Sequence, residues 1–278
     1  MSLHGSLNRL RPIFSIAKVT LLEVIYDRIF YNILLFAFAL VAVSLLASNL
    51  SYVSPDRITI DFGFSAIQFS LTVLALFLGA SFLNREFDRK TIHLAMSRPI
   101  SSFQFLFGQW LGIAWVLTLN GLFLAFCLAL VLALGSFLPN ASIVEIWGSS
   151  LSIGIVMLVI QSWVISAIAY ALSSHSSTAV SLIIAFGVTL AGSSSSALRT
   201  FLLATARGEV ATETKILLAK LTHFLPQLDL LSLNAWVTYG EVPPLQMIAS
   251  ALAYAFLWIT ASLVWANQWI VTKENGGA

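Results

Sequence analysis

The distribution of charge is the sequence feature that most restricts how this chain can fold. Only 9% of its 278 residues are charged, against about 25% in a typical soluble domain. The charged residues are also clustered, so that five long stretches contain no Asp, Glu, Lys or Arg: residues 29–55, 62–84, 99–144, 146–198 and 242–272. A helix needs about 20 apolar residues to cross the hydrocarbon core of a bilayer. The sequence therefore predicts an integral membrane protein.

The uncharged stretches predict an all-α, polytopic membrane protein with six transmembrane helices in a single domain over residues 1–278. A segment with helical periodicity at residues 12–27 comes first, with one apolar face and Arg11 and Lys18 nearly opposite. This pattern is typical of a helix that lies in the membrane interface. The predicted transmembrane helices are residues 29–48, 64–83, 105–134, 146–172, 176–191 and 245–271.

The positions of Lys and Arg predict the orientation, because positive side chains near the ends of transmembrane helices are retained in the cytoplasm. With the N-terminus inside, nine of the 14 Lys and Arg residues lie in cytoplasmic segments. Both termini are then cytoplasmic, and we expect a multi-pass protein of the cell inner (cytoplasmic) membrane. The formal net charge of +2 gives no reason to expect a nucleic-acid partner.

Motifs for nucleotide hydrolysis, metal binding and catalysis are missing from the sequence. No G-x-x-x-x-G-K-[ST] loop is present to hold phosphates. The four histidines are far apart, without a Cys or His partner at helical spacing, so we expect no metal site. The serine run after Gly192 reads as the start of a loop rather than a nucleophile. None of the six predicted spans carries a charged residue of the kind that ion-coupled transport uses. We therefore expect no catalytic residue and no cofactor in this chain, and an external source of energy.

Two further patterns predict contacts between helices or with other proteins. Gly108 and Gly112 form a G-x-x-x-G motif, which lets two helices approach closely. Residues 193–244 are expected outside the cytoplasm, with two short amphipathic helices whose apolar residues could bind an extracytoplasmic partner. The candidate residues for that contact are Phe201, Leu217, Leu221 and Phe224.

The charged segment between the second and third spans is the most informative part of the sequence. Residues 84–99 mix both charge signs and contain a short helical pattern, and Pro99 disfavours helix at Arg98. On pattern alone this segment is also compatible with a solvated connecting loop that carries inside-positive charge. Its position between two spans keeps it at the cytoplasmic surface in either case.

The order of these features resembles the permease subunits of type-2 ABC exporters and is similar to the branch associated with nitrous oxide reductase maturation. In that family an acidic residue at the end of the second span begins a coupling helix, a basic-Pro turn follows, and a glycine starts the next span. The matching residues here are Glu86, Arg98-Pro99, Gly108, Leu225-Pro226-Gln227-Leu228 and Tyr239-Gly240. The chain departs from the family at Ser102, near which a basic residue is often found, and at Gln109, where a lysine is often found.

The resemblance implies that residues 85–98 are a cytoplasmic coupling helix on which a separate ABC ATPase docks. ATP and Mg would be bound by that ATPase subunit, and a second permease chain would pair with this one as a homodimer or heterodimer in the lipid bilayer. The residues that the resemblance implies for ATPase docking are Arg85, Glu86, Phe87, Asp88, Arg89, His93, Arg98 and Pro99.

Three functions fit these residues. The first is a permease that moves a substrate with energy from its ATPase, along an uncharged path suited to a lipid, a drug or a hydrophobic peptide. The second is a non-transporting mechanical relay from the ATPase to an extracytoplasmic protein. The third is an intramembrane enzyme, which needs Ser, His and Asp groups that converge at membrane depth.

Overall fold

The computed structural model describes residues 3–27, 55–88, 101–134, 141–195 and 226–275, with isolated positions between 30 and 43 and at 197 and 200. These residues form seven α-helices and one short 3-10 turn at Leu228–Leu230. The all-α prediction is therefore confirmed for the described residues. In chain order, the helices are α1 (Leu3–Ile25), α2 (Pro55–Asp88), α3 (Ser102–Leu134), α4 (Ala141–Ser173), α5 (Thr178–Ser193), α6 (Asn234–Tyr239) and α7 (Leu245–Asn275).

Four of the described helices, α2, α3, α4 and α7, each contain a segment that is long and apolar enough to cross a bilayer. The fifth predicted span coincides with α5, which has only 16 residues. At about 1.5 Å per residue it is about 24 Å long, shorter than the hydrocarbon core of about 30 Å. The first predicted span, residues 29–48, lies for the most part outside the described residues. The count of six spans therefore stays a prediction.

α2 is longer at both ends than the span predicted from its sequence. It begins at Pro55 although the apolar run starts at residue 64, because proline is well tolerated in the first turn and acidic residues favour a helix N-terminus. At its other end α2 continues without a break to Asp88. The start of the predicted coupling helix is thus continuous with the span that precedes it.

α2 lies at the centre of the fold, in contact with α3, α4 and α5. Its side chains Ile67, Leu74 and Leu83 are completely buried. α2 and α4 run in the same direction, since Gln68 contacts Gln161, and Asn84, farther along α2, contacts Ser176 in the turn that follows α4. α5 follows α4 after a short turn and therefore runs antiparallel to α2.

α1 packs along α3, and it does so with the face that the sequence predicts to be apolar. Ala17, Thr20 and Val24 on that face are buried. Away from that face, Phe14 and Val19 are exposed. α1 therefore has some apolar side chains that are buried against the protein and others that are exposed.

The segment that precedes α7 is folded into the bundle. Its 3-10 turn packs against α5, and α6 packs against α2 and α4. Leu228, Leu231, Leu233 and Val237 are at most 1% exposed. Leucine and valine side chains of a polar-looking segment thus complete the core at this end.

Candidate functional site

The end of the bundle from which the charged segment emerges is held together by polar contacts between separate elements. The guanidinium Nη1 of Arg85 on α2 donates to the carboxylate Oδ2 of Asp27, two residues after α1, at 2.6 Å. Nδ2 of Asn84 donates to the backbone carbonyl of Ser176 in the α4–α5 turn at 3.2 Å. The last turns of α2 are therefore joined to α1 and to this turn.

His175 in the same turn joins α4 to α7. Its imidazole lies between two indoles, with ring centroids 4.4 Å from Trp265 and 4.5 Å from Trp269. Its Nδ1 is 2.8 Å from Oγ of Ser174. The hydroxyl proton of Ser174 is donated to the carbonyl of Ala171, so it is not available to Nδ1 of His175. We refer to Asp27, Asn84, Arg85, Ser176, His175, Trp265 and Trp269 as the polar end cluster.

The side chains predicted for ATPase docking are only partly described. Arg85 is in the polar end cluster. Glu86, Phe87 and Asp88 have a helical backbone at the end of α2, but their side chains lie outside the described part. Arg89, His93, Arg98 and Pro99 lie outside the described residues, as do Phe201, Leu217, Leu221 and Phe224 of the predicted extracytoplasmic contact. The docking roles therefore stay predictions.

Gly108 and Gly112 face α1 within the same chain. A Cβ at Gly112 would lie 2.6 Å from Cβ of Thr20 and 2.7 Å from the carbonyl oxygen of Ala17. A Cβ at Gly108 would lie 3.1 Å from the carbonyl oxygen of Ile13. The two glycines thus leave the space in which α1 packs on α3.

A cavity of about 590 Å³ lies between α2, α4 and α5. None of the thirteen described residues that line it is charged. On its rim, Phe77, Phe186 and Leu190 are exposed. The polar lining residues are Ser65, Gln68, Thr72, Gln161, Thr189 and Ser193. We call this space the α2–α5 cavity.

Three amide side chains form a row, and two of them, Gln68 and Gln161, line the α2–α5 cavity. Nδ2 of Asn234 on α6 donates to Oε1 of Gln68 at 2.9 Å. Nε2 of Gln68 in turn lies 3.4 Å from Oε1 of Gln161, a long hydrogen bond. Gln161 is only 3% exposed and lines the cavity. Its Nε2 has no hydrogen-bond partner among the described residues, so one amide donor is left for the cavity.

The segment at the opposite end from the polar end cluster is fixed to three helices. The backbone N–H of Gln227 donates to the hydroxyl of Tyr254 on α7 at 2.8 Å. The carbonyl of Pro226 lies against Gly192 at the end of α5, where a Cβ would collide with it. Oγ1 of Thr238 donates to Oδ1 of Asp61 on α2 at 3.1 Å. The described part of the predicted extracytoplasmic segment is therefore attached to the bundle.

Comparison with protein-family models identifies the family of this chain. The model of the ABC-2 family transporter proteins matches residues 37–268, which include α2 to α6 and most of α7. The chain belongs to the ABC-2 transporter family. Comparison with curated proteins gave no match.

As an ABC-2 transporter protein, the chain is a multi-pass membrane permease of an ABC transporter. Members of this family are typically non-catalytic membrane subunits that use ATP only through a partner ATPase. The predicted resemblance to ABC exporter permeases is confirmed at the level of the ABC-2 family. A partner ATPase is implied by this membership.

One departure from the expected family pattern has a structural explanation in this ABC-2 protein. Gln109 is 2% exposed, and its Oε1 accepts a hydrogen bond from the hydroxyl of Tyr170 on α4 at 2.7 Å. An uncharged amide therefore satisfies a buried phenol where a lysine would bring a charge into the α3–α4 contact. Burying a charge without a charged partner costs far more than burying a hydrogen-bonded amide.

Several residues of the ABC-2 protein's described site were missed by sequence reasoning. Gln68, Gln161 and Asn234 are uncharged, whereas the search for intramembrane polar groups was made for charges. Glutamines inside charge-free spans are the signal that would have found two of them. Asp27 gave no signal, because its partner Arg85 is 58 residues away.

Proposed function

We propose that the chain is the permease subunit of an ABC exporter and moves a substrate across the membrane with ATP hydrolysed by a separate ATPase. In this proposal the ATPase docks on residues 85–98, a second permease chain completes the transporter, and the path lies at their interface. ATP and Mg are bound by the ATPase subunit and not by this chain. Family membership across most of the chain supports the proposal.

The observation that carries the proposal is the connection of the last turns of α2 to the end of α1 and to the α4–α5 turn, and of that turn to α7 through His175. α2 continues as one helix from the core to Asp88, where the predicted docking segment begins. Asp27 and Ser176 receive hydrogen bonds from its neighbouring residues Arg85 and Asn84, and His175 stacks on α7. A force applied to residues 85–98 would therefore act on α1, α2, α4, α5 and α7 together.

The same contacts support an orientation with both termini in the cytoplasm of an inner-membrane protein. Arg85 and the C-terminal part of α7 lie at the same end of the bundle, since His175 joins Trp269 to the turn that Asn84 contacts. Lys273 follows Trp269 by one helical turn. Arg85 and Lys273 therefore lie at the same end, in agreement with the charge bias of cytoplasmic segments.

Charge reversal at the predicted docking surface tests the proposal. We expect Glu86→Lys and Arg89→Glu each to reduce the ATPase activity of the purified complex with its copurifying ATPase at least tenfold, because complementary charges at the rim of an interface set its specificity. Glu241→Lys is the matched control, since Glu241 is exposed at the other end of the bundle. Unchanged ATPase coupling in both docking variants would contradict the docking role.

A mechanical relay is the second candidate, and it is favoured by the attachment of residues 226–240 to the bundle. Hydrogen bonds join this segment to α7 at Tyr254 and to α2 at Gln68. An extracytoplasmic protein bound at Phe201, Leu217, Leu221 and Phe224 would be connected through it to the ATPase end. Reconstituted vesicles that hydrolyse ATP without moving solute would favour the relay over transport.

A further inference from the structure

We propose that the outward side of α1 binds anionic phospholipid of the cytoplasmic leaflet and that this lipid controls coupling to the ATPase. The group recognised is the phosphate of the lipid head group, which Lys18 contacts, while the acyl chains lie on the apolar side chains beside Lys18. The control of coupling and the choice of leaflet rest on the proposed function. The lipid contact itself does not.

The charges of α1 have one sign over most of its length. Residues 1–22 contain three basic residues and no Asp or Glu. The first acidic residue, Glu23, follows Lys18 by five residues and so lies about 140° around the helix from it. The next one, Asp27, is paired with Arg85. Because Lys18 is exposed and forms no ion pair among the described residues, an anionic surface is complementary to this side of α1.

Lys18 lies between exposed apolar side chains. Phe14 and Leu22, one turn before and one turn after it, are 55% and 42% exposed, and Val19 is 64% exposed. A lysine in this position places its aliphatic stem along apolar surface and its ammonium group at the level of the phosphates. Arg11 precedes Lys18 by seven residues, the spacing that returns to the same side of a helix. Basic and apolar residues on one side of a helix are typical of binding to anionic lipid.

The packing of α1 on α3 sets the depth of this side in the membrane. Gly108 and Gly112 leave the space for α1, and they follow the start of the apolar segment at Ser102 by about 9–15 Å at about 1.5 Å per residue. That segment has 29 residues and is about 43 Å long, which matches the full bilayer thickness of about 40–45 Å with its head groups. α1 therefore lies near the boundary between head groups and acyl chains, where its outward side contacts lipid.

The C-terminal end of α1 connects this lipid contact to the predicted docking segment. α1 is one continuous helix from before Lys18 to Ile25, and the backbone N–H of Asp27 still donates to a carbonyl of its last turn. The carboxylate of Asp27 pairs with Arg85 at 2.6 Å, where residues 85–98 begin. Lipid that fixes α1 in the interface therefore also fixes Asp27 against the start of the docking segment.

The lipid contact is tested with the purified full-length chain, without ATPase, in nanodiscs. Val19→Cys in a Cys127→Ala background carries a bimane fluorophore on the outward side of α1, and brominated lipids quench it when they occupy that side. We expect brominated phosphatidylglycerol to bind about fivefold more tightly than brominated phosphatidylcholine at equal mole fraction, the factor that one lysine contributes near an anionic surface. The preference should disappear in about 0.5 M KCl, which screens charges beyond a few ångströms.

Variants of Lys18 distinguish a head-group site from general lipid contact. Lys18→Gln should bind the two lipids about equally, whereas Lys18→Arg should keep the preference for phosphatidylglycerol. Both variants should fold, because the side chain is exposed. The matched control places the fluorophore at Leu130→Cys, which is 47% exposed near the other end of α3. Both lipids should quench that fluorophore equally.

The control of coupling is tested in the complex with the copurifying ATPase. Phosphatidylglycerol should raise ATPase activity over that in phosphatidylcholine by up to about fivefold, since a ligand shifts an equilibrium by no more than its differential affinity. Lys18→Gln should not respond to phosphatidylglycerol. Asp27→Asn should keep the lipid preference measured by quenching and lose the stimulation, because the connection to Arg85 is broken.

Equal quenching of the Val19 fluorophore by both lipids, or a preference that Lys18→Gln leaves unchanged, would overturn the lipid site. No quenching by either lipid would also overturn it, because protein would then cover this side of α1. Stimulation that persists in Asp27→Asn, or its absence in the wild type, would overturn the control of coupling through Asp27. Because the nanodisc measurements contain no ATPase, failure of the proposed docking would leave the lipid preference as expected.

Discussion

Nη1 of Arg85 and Oδ2 of Asp27, separated by 58 residues in the sequence, are 2.6 Å apart. The family resemblance implies that Arg85 contacts the ATPase. In the structure its guanidinium is paired with Asp27 of the same chain. The ion pair joins the end of α1 to the part of α2 that precedes the predicted docking segment. We therefore expect Arg85 to transmit a movement of residues 85–98 rather than to bind the ATPase itself.

Breaking this ion pair should affect coupling more than stability. The Arg85 and Asp27 side chains are 38% and 20% exposed, and ion pairs of this kind contribute at most about 1 kcal/mol. We expect Asp27→Asn to change the free energy of unfolding by less than about 1 kcal/mol and to lower ATPase stimulation in the complex. The exchanged pair Asp27→Arg with Arg85→Asp should restore stimulation. A double variant as impaired as the single ones would contradict the coupling role.

Closing the space between α1 and α3 should destabilise the protein. In Gly112→Ala the new methyl would lie 2.7 Å from the carbonyl oxygen of Ala17, and overpacking of this kind costs about 1–3 kcal/mol. Gly187→Ala is the matched control, because a Cβ at Gly187 has no atom within 4 Å among the described residues. Thermal unfolding in detergent should show a lower Tm for Gly112→Ala only. Equal Tm values for the two variants would show that α1 can move away from α3.

Removing one hydroxyl should loosen the segment between residues 226 and 240. Tyr254→Phe leaves the partly buried backbone N–H of Gln227 without its acceptor, a loss of about 0.5–1.5 kcal/mol. Hydrogen exchange of residues 227–231 should become faster while that of α3 is unchanged. Tyr26→Phe, at a side chain that is 78% exposed, serves as the control. Unchanged exchange in Tyr254→Phe would mean that the packing of Leu228 and Leu231 alone fixes the segment.

The stacking of His175 between Trp265 and Trp269 should be visible in tryptophan fluorescence. His175→Ala removes both ring contacts, each worth about 0.5–1.5 kcal/mol, and should shift the emission and lower the Tm. His175→Phe keeps an aromatic ring in the same place and should restore most of the Tm. If the alanine and phenylalanine variants had the same Tm, the contribution would come from the hydrogen bond of Nδ1 rather than from stacking.

Much of the helical architecture was predictable from the sequence because hydrocarbon imposes a simple condition. Every backbone polar group must be satisfied within the segment, so a long uncharged run forms a helix. This condition correctly predicted that α3, α4 and α7 would be long apolar helices. The condition applies to spans only, so it did not predict that α2 begins at Pro55, nine residues before the predicted span. The buried turn and α6 after Pro226 were also unpredictable, because the condition does not apply to short elements in polar sequence.

The contacts of the candidate site depend on the register of the helices against one another. The hydrophobic and charge pattern of the sequence does not determine that register. The sequence by itself determined that this is an all-α membrane protein, where its charged segment lies and which family it belongs to, since these follow from composition, order and motif. Only the tertiary structure decided that Asn234 meets Gln68 across 166 residues and that Arg85 is already paired with Asp27. Such pairs form because close packing allows only one register of two neighbouring helices. That register is set by the whole buried surface rather than by either residue.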